Sequence, residues 1–159
     1  MATVDTPAVR ALQRAGVGFE LLQYDYDASA DAIGLHAAHA LGRDPATVFK
    51  TLIVELDSHA LACAVIPSNA RLDRKAIASA AGARKAELAD PKLAERATGY
   101  VVGGISPLGQ RKQLPVYLDA SAIGLEGIIV NGGRRGLQVV VKPVDLVRLT
   151  GGVVLALCA

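Results

Sequence analysis

The chain has 159 residues, the length of one domain, since domains run roughly 100–200 residues. Hydrophobic residues make up 52% and charged residues 20%, which argues against intrinsic disorder, and no apolar run approaches the 18 or so residues of a membrane helix. A net charge of +2 is too weak for the dense basic stripe of extensive duplex binding but permits contact with a few phosphates.

The first predicted element is a helix with Thr6 as N-cap, Pro7 in the first turn and Gly16 as its stop; Ala8, Ala11, Leu12 and Ala15 share one face. Phe19 to Asp27 reads as a strand, and Asp31 to Leu41 as a second helix ended by Gly42. Asp44-Pro45 turns the chain into Phe49 to Leu56, rich in β-branched and large apolar residues, and Ser58 with His59 turns it back into LACAVIP, so these two strands form a predicted hairpin. Asp73 caps a helix through Ala81, and Asp90-Pro91 caps another to about Ala97, ended by Gly99. Tyr100 to Val102 reads as a short strand leading into GGISPLGQ, and Val116 to Asp119 as another. GIIV and LQVVVK flank NGGRRG as a final hairpin, and Pro143 starts a helix halted by Gly151-Gly152. Hairpins mixed with helices, without regular βαβ alternation, predict an α+β fold with a mixed, largely antiparallel sheet.

The familiar catalytic signatures are absent. There is no G-x-S-x-G elbow, no G-x-x-x-x-G-K-[ST] loop and no H-E-x-x-H, and GGISPLG does not fit G-x-G-x-x-G. His36 and His39 share a helix face but lack a third ligand, so no metal is expected. Cys63 and Cys158 form no C-x-x-C pair; Cys63, inside an apolar run, reads as a buried strand thiol. With no tryptophan and 4% aromatics, a base-stacking platform is not expected.

Two features carry potential chemistry. Strand alternation puts Lys50 on one face with Leu52, Val54 and Leu56, where its ammonium either snorkels to water or projects into a pocket and attracts an anion or carbonyl. In Gly103-Gly104-Ile105-Ser106-Pro107-Leu108-Gly109 the paired glycines make either a tight turn or a close backbone approach to a ligand. Arg111-Lys112 and Arg134-Arg135 are basic pairs that suit phosphates or a solvated surface equally.

With VFKTL around Lys50, KAELADP at 85–91, ATGYVVGGISPLGQRKQLP at 97–115 and NGGRRGL at 131–137, the chain resembles the YbaK/ProX-type aminoacyl-tRNA deacylases, relatives of the editing domain inserted in bacterial prolyl-tRNA synthetases. The likeness spans nearly the whole chain and is closest to the branch that removes cysteine, especially cysteine misattached to proline tRNA. It implies one editing domain over residues 1–159, with a curved or barrel-like sheet flanked by helices. It also implies that Lys50 is the essential pocket lysine, that Gly103 and Gly104 bind the reacting carbonyl, and that Tyr24, Ile33, Thr51, Ile105, Ser106 and Asn131 line the substrate pocket. Arg111, Lys112, Arg134 and Arg135 would meet tRNA phosphates. Asn131 stands where relatives often have serine, Gln138 where close relatives have aspartate, and Ile33 where some have phenylalanine.

The resemblance implies cleavage of the aminoacyl ester without a protein nucleophile, the substrate's own thiol attacking the carbonyl, with no cofactor and no metal. Alanyl-tRNA cleaved by water is the alternative substrate, and a non-catalytic module that binds tRNA or a synthetase is the alternative class. Expected partners are the acceptor end of aminoacyl-tRNA and, for recruitment, prolyl-tRNA synthetase or elongation factor. No membrane partner is expected. The first residues lack a long apolar stretch and carry an early acid, so the expected compartment is the cytoplasm.

Overall fold

The computed structural model describes residues 4–27 and 33–159, the side chains of residues 33 and 34 excepted. Among them are five α-helices and eight strands: α1 Pro7–Ala15, β1 Glu20–Gln23, α2 Ile33–Leu41, β2 Phe49–Leu56, β3 Leu61–Pro67, α3 Arg74–Ala80, β4 Ala86–Leu88, α4 Pro91–Thr98, β5 Val116–Asp119, β6 Ile128–Asn131, β7 Leu137–Val141, α5 Pro143–Thr150 and β8 Val153–Leu155. They form a three-stranded sheet in the order β1-β7-β6 and a five-stranded sheet in the order β4-β2-β3-β5-β8. The first is antiparallel throughout. The second is antiparallel across β4-β2-β3 and parallel across β3-β5-β8. The α+β class and the mixed sheet are as expected. The two sheets do not close into the expected barrel, because each ends on strands without a further partner among the described residues; they meet at one corner, where Val48 bridges Ile129 and Ile129 N–H donates to Thr47 C=O at 2.9 Å.

Local chemistry explains most element ends. Thr6 Oγ1 accepts from Val9 N–H, and Gly16 ends α1 in the left-handed conformation, which glycine adopts without a Cβ penalty. Asp73 and Asp90 cap α3 and α4 in the same way, which fixes helices whose own propensity is marginal at this length. The start expected for α2 at Asp31 lies outside the described residues. The alternation read along β2 holds: Phe49 and Ile53 enter the main core with Val65, Val116, Leu118 and Val139, whereas Leu52, Val54 and Leu56 pack with Ile77 of α3.

Two strand expectations are corrected. Tyr100 to Val102 is not a strand. Tyr100 N–H is taken by Thr98 Oγ1, its ring is buried, and its hydroxyl donates to Leu108 C=O at 2.6 Å. Val101 C=O then accepts from Gly104 N–H at 2.8 Å, so a turn uses the groups a ladder would need. The strand expected over Phe19 to Asp27 pairs only from Glu20 to Gln23, because its partner β7 starts at Leu137; past it, Tyr24 N–H reaches Gly136 C=O, the last such bond.

Candidate active site

β2 carries β3 along its whole length but has β4 beside it only at Val54 to Leu56. Its other edge, from Phe49 to Leu52, therefore has no strand partner among the described residues between the Val48–Ile129 bridge and β4. A cleft of about 250 Å³ opens there. Lys50, Thr51 and Leu52 of β2, Gly103 and Ile105 of the glycine loop, and Asn131 with Gln138 of the β6–β7 hairpin line it. The volume falls below the ~300–1,000 Å³ of drug-sized pockets and suits an aminoacyl group. Lys50 and the glycine loop, 53 residues apart, thus face one space.

Lys50 Nζ sits 3.4 Å from Ser68 C=O and forms no ion pair among the described residues. Burial lowers its pKa below the ordinary lysine value, partly offset by the Cys158 thiol nearby. A half-buried ammonium with one carbonyl partner keeps donors for an incoming oxygen. Thr51 adds a buried hydroxyl with no hydrogen-bond partner. A buried orphan of this kind costs free energy unless a ligand or water engages it.

The glycine loop is held from several sides. Gln110 Nε2 donates to Ser106 C=O at 3.0 Å and Gln110 Oε1 accepts from Leu114 N–H at 3.1 Å. Asn131 Nδ2 donates to Gly103 C=O at 3.0 Å, while Asn131 Oδ1 accepts from Gly133 and Arg134 N–H at 2.7 and 3.2 Å. Glu95 of α4 accepts from Val102 N–H at 2.8 Å. Gly103 has φ +89°, a conformation that favours glycine, and a Cβ there would lie 2.6 Å from Tyr26 Oη, so the ring would have to shift. At Gly104 a Cβ would lie 2.9 Å from Arg135 N.

The expected residues separate into groups. Lys50, Thr51, Gly103, Ile105 and Asn131 converge on the cleft. Gly104 does not offer its amide: that N–H is spent on Val101 C=O, whereas the N–H of Gly103 and of Ile105 has no acceptor among the described residues. Ser106 is fully buried and its Oγ accepts from Leu108 N–H, which makes it a strut of the loop rather than a lining residue. Tyr24 packs with Ala37, Ala38 and Val48, edge-on to His36, and is not among the lining residues. Its hydroxyl is buried without a hydrogen bond of good geometry, and burial raises its pKa. The Ile33 side chain lies outside the described residues. Arg111 and Lys112 are exposed, as are Arg134 and Arg135; Arg135 lies 5.3 Å over the Tyr26 ring and donates to Val102 C=O. Tyr26, which carries no sequence signal beyond being aromatic, backs Gly103.

Among the described residues, no lining side chain is a histidine, cysteine, serine or carboxylate. Cys63 is fully buried in the main core, its thiol pushed up to about 12 by burial and accepting a hydrogen bond from Gln110. His36 Nε2 lies 3.1 Å from Asp25 C=O. The chemistry available is a cation, an open backbone amide, the Thr51 hydroxyl and two side-chain amides around a small apolar space, an arrangement suited to holding a carbonyl and the negative charge that develops on it.

Residues 30–149 match the profile of the aminoacyl-tRNA editing domain. The chain is 36% identical over 148 residues to the Enterococcus faecalis protein EbsC, whose name assigns it provisionally to Cys-tRNA(Pro)/Cys-tRNA(Cys) deacylation; the match covers 92% of this chain and 89% of that one. It is 25% identical over 143 residues, covering 89% and 84%, to the Escherichia coli K12 multifunctional Ser/Thr-tRNA deacylase ProXp-y. A solved structure described as a candidate trans-editing enzyme for prolyl-tRNA synthetase superposes with a TM-score of 0.82 at 25% identity, covering 99% of both chains. The chain therefore belongs to the aminoacyl-tRNA editing domain family, and its fold is that of the YbaK-type members.

Proposed function

We propose that the chain is a single trans-acting editing domain that cleaves the ester of cysteinyl-tRNA, foremost cysteine on proline tRNA. The observation that carries this reading is the cleft that joins a lysine without an ion pair to an open glycine amide and, among the described residues, is lined by no histidine, cysteine, serine or carboxylate, the Thr51 hydroxyl being its one side-chain hydroxyl. An ester that brings its own thiol needs nothing more.

The cysteinyl thiol gives up its proton to solvent water, from which the ribose oxygen later recovers one, and the sulfur attacks the ester carbonyl carbon. The carbonyl π electrons move to oxygen, and the Gly103 N–H faces that oxyanion. Collapse re-forms the C=O, breaks the bond to the ribose oxygen, which takes up a proton, and releases the amino acid as a thiolactone. The protein contributes position and electrostatics: Lys50 holds the ester or terminal phosphate oxygen, and Asn131 fixes Gly103 through its carbonyl. Bringing the thiol to its own carbonyl in an attack geometry supplies much of the acceleration, and one preorganised oxyanion donor is worth about 10²–10³ in rate.

The provisional assignment of EbsC supports cysteine as the amino acid. The described likeness of the solved structure to a synthetase-associated enzyme supports recruitment by prolyl-tRNA synthetase. No helix among the described residues is long and apolar enough to cross a membrane, which accords with a cytoplasmic site of action. The test is a panel of aminoacyl-tRNAs scored for deacylation, with the released product identified. Thiolactone from Cys-tRNA(Pro) is expected. Cleavage of alanyl-tRNA or seryl-tRNA in preference to cysteinyl-tRNA would overturn the substrate, and tRNA binding without release of any amino acid would overturn the activity.

A further inference from the structure

Next to the cleft along the chain, at Val101, lies an open groove of about 660 Å³ lined by Lys92, Glu95 and Arg96 of α4 and by Tyr100, Val101 and Arg111 of the following segment. The two spaces share a wall. Val101 borders the groove and Val102 the cleft, and Glu95 of the groove binds Val102 N–H. Three cations thus stand beside one carboxylate that is already engaged by the backbone. None of Lys92, Arg96 and Arg111 forms an ion pair among the described residues.

Helix electrostatics accounts for only part of this placement. Arg96 in the last turn of α4 complements the helix dipole, but Lys92 sits in the first turn, at the positive end, where a cation is disfavoured. The arginine of the loop is positioned rather than loose. Arg111 N–H donates to Thr98 C=O at 2.8 Å, and its side chain crosses Gly99, where a Cβ would lie 3.3 Å from Arg111 Cβ. In a protein of net charge +2, these three unpaired cations along one groove mark a local binding surface for an anion.

We propose that this groove holds the phosphodiester backbone of the tRNA acceptor strand while the 3′ aminoacyl end enters the Lys50–Gly103 cleft. The inference rests on the deacylase reading above and adds the path of the RNA. A phosphate chain meets the groove cations one by one, and Val101, half exposed at 50%, separates the phosphate track from the ester site. Because phosphate contacts position without reading sequence, the groove contributes affinity shared by all tRNAs and leaves amino-acid choice to the cleft.

The experiment compares the wild type with Arg96→Gln/Arg111→Gln on two substrates, full-length Cys-tRNA(Pro) and a cysteinylated CCA trinucleotide. Each lost phosphate contact lowers the salt slope by about 0.7–0.9, or roughly five- to eightfold in affinity near 0.1 M salt, so the double variant should lose about 25- to 60-fold on tRNA, mostly in KM. Its salt slope should fall by about 1.4–1.8, and its activity on the trinucleotide should stay within about twofold, which also shows that it is folded. Equal losses on both substrates, or an unchanged slope on tRNA, would overturn the phosphate track. If the wild type cleaves neither substrate, the deacylase reading fails; affinity for uncharged tRNA then decides the track alone, a fall in the variant supporting it and equal binding overturning it.

Discussion

Replacing Gly103 by alanine is the sharpest perturbation of the site, because it alters a conformation without removing a functional group. Alanine keeps the N–H that would face the oxyanion. At φ +89°, however, an L-residue costs roughly 1–2 kcal/mol, and the new Cβ would lie 2.6 Å from Tyr26 Oη and 3.2 Å from two ring carbons. The loop or the ring must shift. For a chain of this size each kcal/mol lowers Tm by about 2–4 °C, so Gly103→Ala should melt about 2–8 °C below the wild type. A displaced amide forfeits up to about 10²–10³ in rate. Single-turnover deacylation of Cys-tRNA(Pro) reads that loss, and a thermal melt reads the strain. Since the three nearest atoms to the added Cβ all belong to Tyr26, Gly103→Ala/Tyr26→Ala removes the collision and leaves the φ cost, and it should fall between the single variant and the wild type. A Gly103→Ala protein that melts as predicted yet cleaves at the wild-type rate would refute the role given to this amide.

The remaining predictions concern the groups around it. Lys50→Met should abolish deacylation without lowering Tm, because burial disfavours the charged lysine in the folded protein. Folded Lys50 releases its proton below the unfolded lysine value, so the unfolded chain binds more protons in that window and stability rises with pH there. Activity that needs the cation falls over the same window, above an ascending limb set by the substrate thiol near its ordinary pKa of about 8.5; kcat/KM against pH should be a bell whose alkaline limb moves up in Lys50→Arg. Cys63→Ser should retain full activity with a modest loss of stability, and wild-type Cys63 should resist alkylation, its thiol being buried and pushed up to about 12. Asn131→Asp keeps the acceptor for Gly133 and Arg134 N–H but loses the donor to Gly103 C=O, so it should slow deacylation tenfold or more with little change in the melt.

Much of the fold was legible because it rests on local signals. Thr6-Pro7, Asp73 and Asp90-Pro91 mark helix starts by capping chemistry, and all three caps form. The two-faced pattern of Phe49 to Leu56 follows from strand periodicity and places Lys50 at the open end of an apolar face. Where non-local pairing decides, the sequence is mute. β4 is Ala-Glu-Leu, with no strand propensity, and forms because β2 offers an edge at Val54 to Leu56. β8 exists because β5 accepts it in parallel. Tyr100 to Val102 has strand composition, yet α4 and the turn at Gly104 claim its backbone.

The candidate site divides along the same line. Lys50 and the paired glycines stand out as residue types, and the resemblance joins them. Three facts lie beyond any one-dimensional reading: the Gly104 amide is consumed by Val101, Asn131 reaches Gly103 across 28 residues, and the Tyr26 ring lies where a Cβ on Gly103 would go. Ser106, chemically suited to a pocket, turns its hydroxyl to Leu108 N–H because the loop's own backbone needs an acceptor. The phosphate groove was half visible in Arg111; Lys92 and Arg96 join it only through the packing of α4 against residues 99–111.

The central claim is that the ester carbonyl sits between Lys50 and the Gly103 amide. A crystal structure with a stable amide-linked analogue of 3′-cysteinyl-adenosine tests it directly. The account predicts the analogue's carbonyl oxygen at about 2.7–3.1 Å from Gly103 N, the geometry of an oxyanion donor, with Lys50 Nζ turned from Ser68 to a ligand oxygen. An analogue bound with its carbonyl directed away from both groups would contradict it.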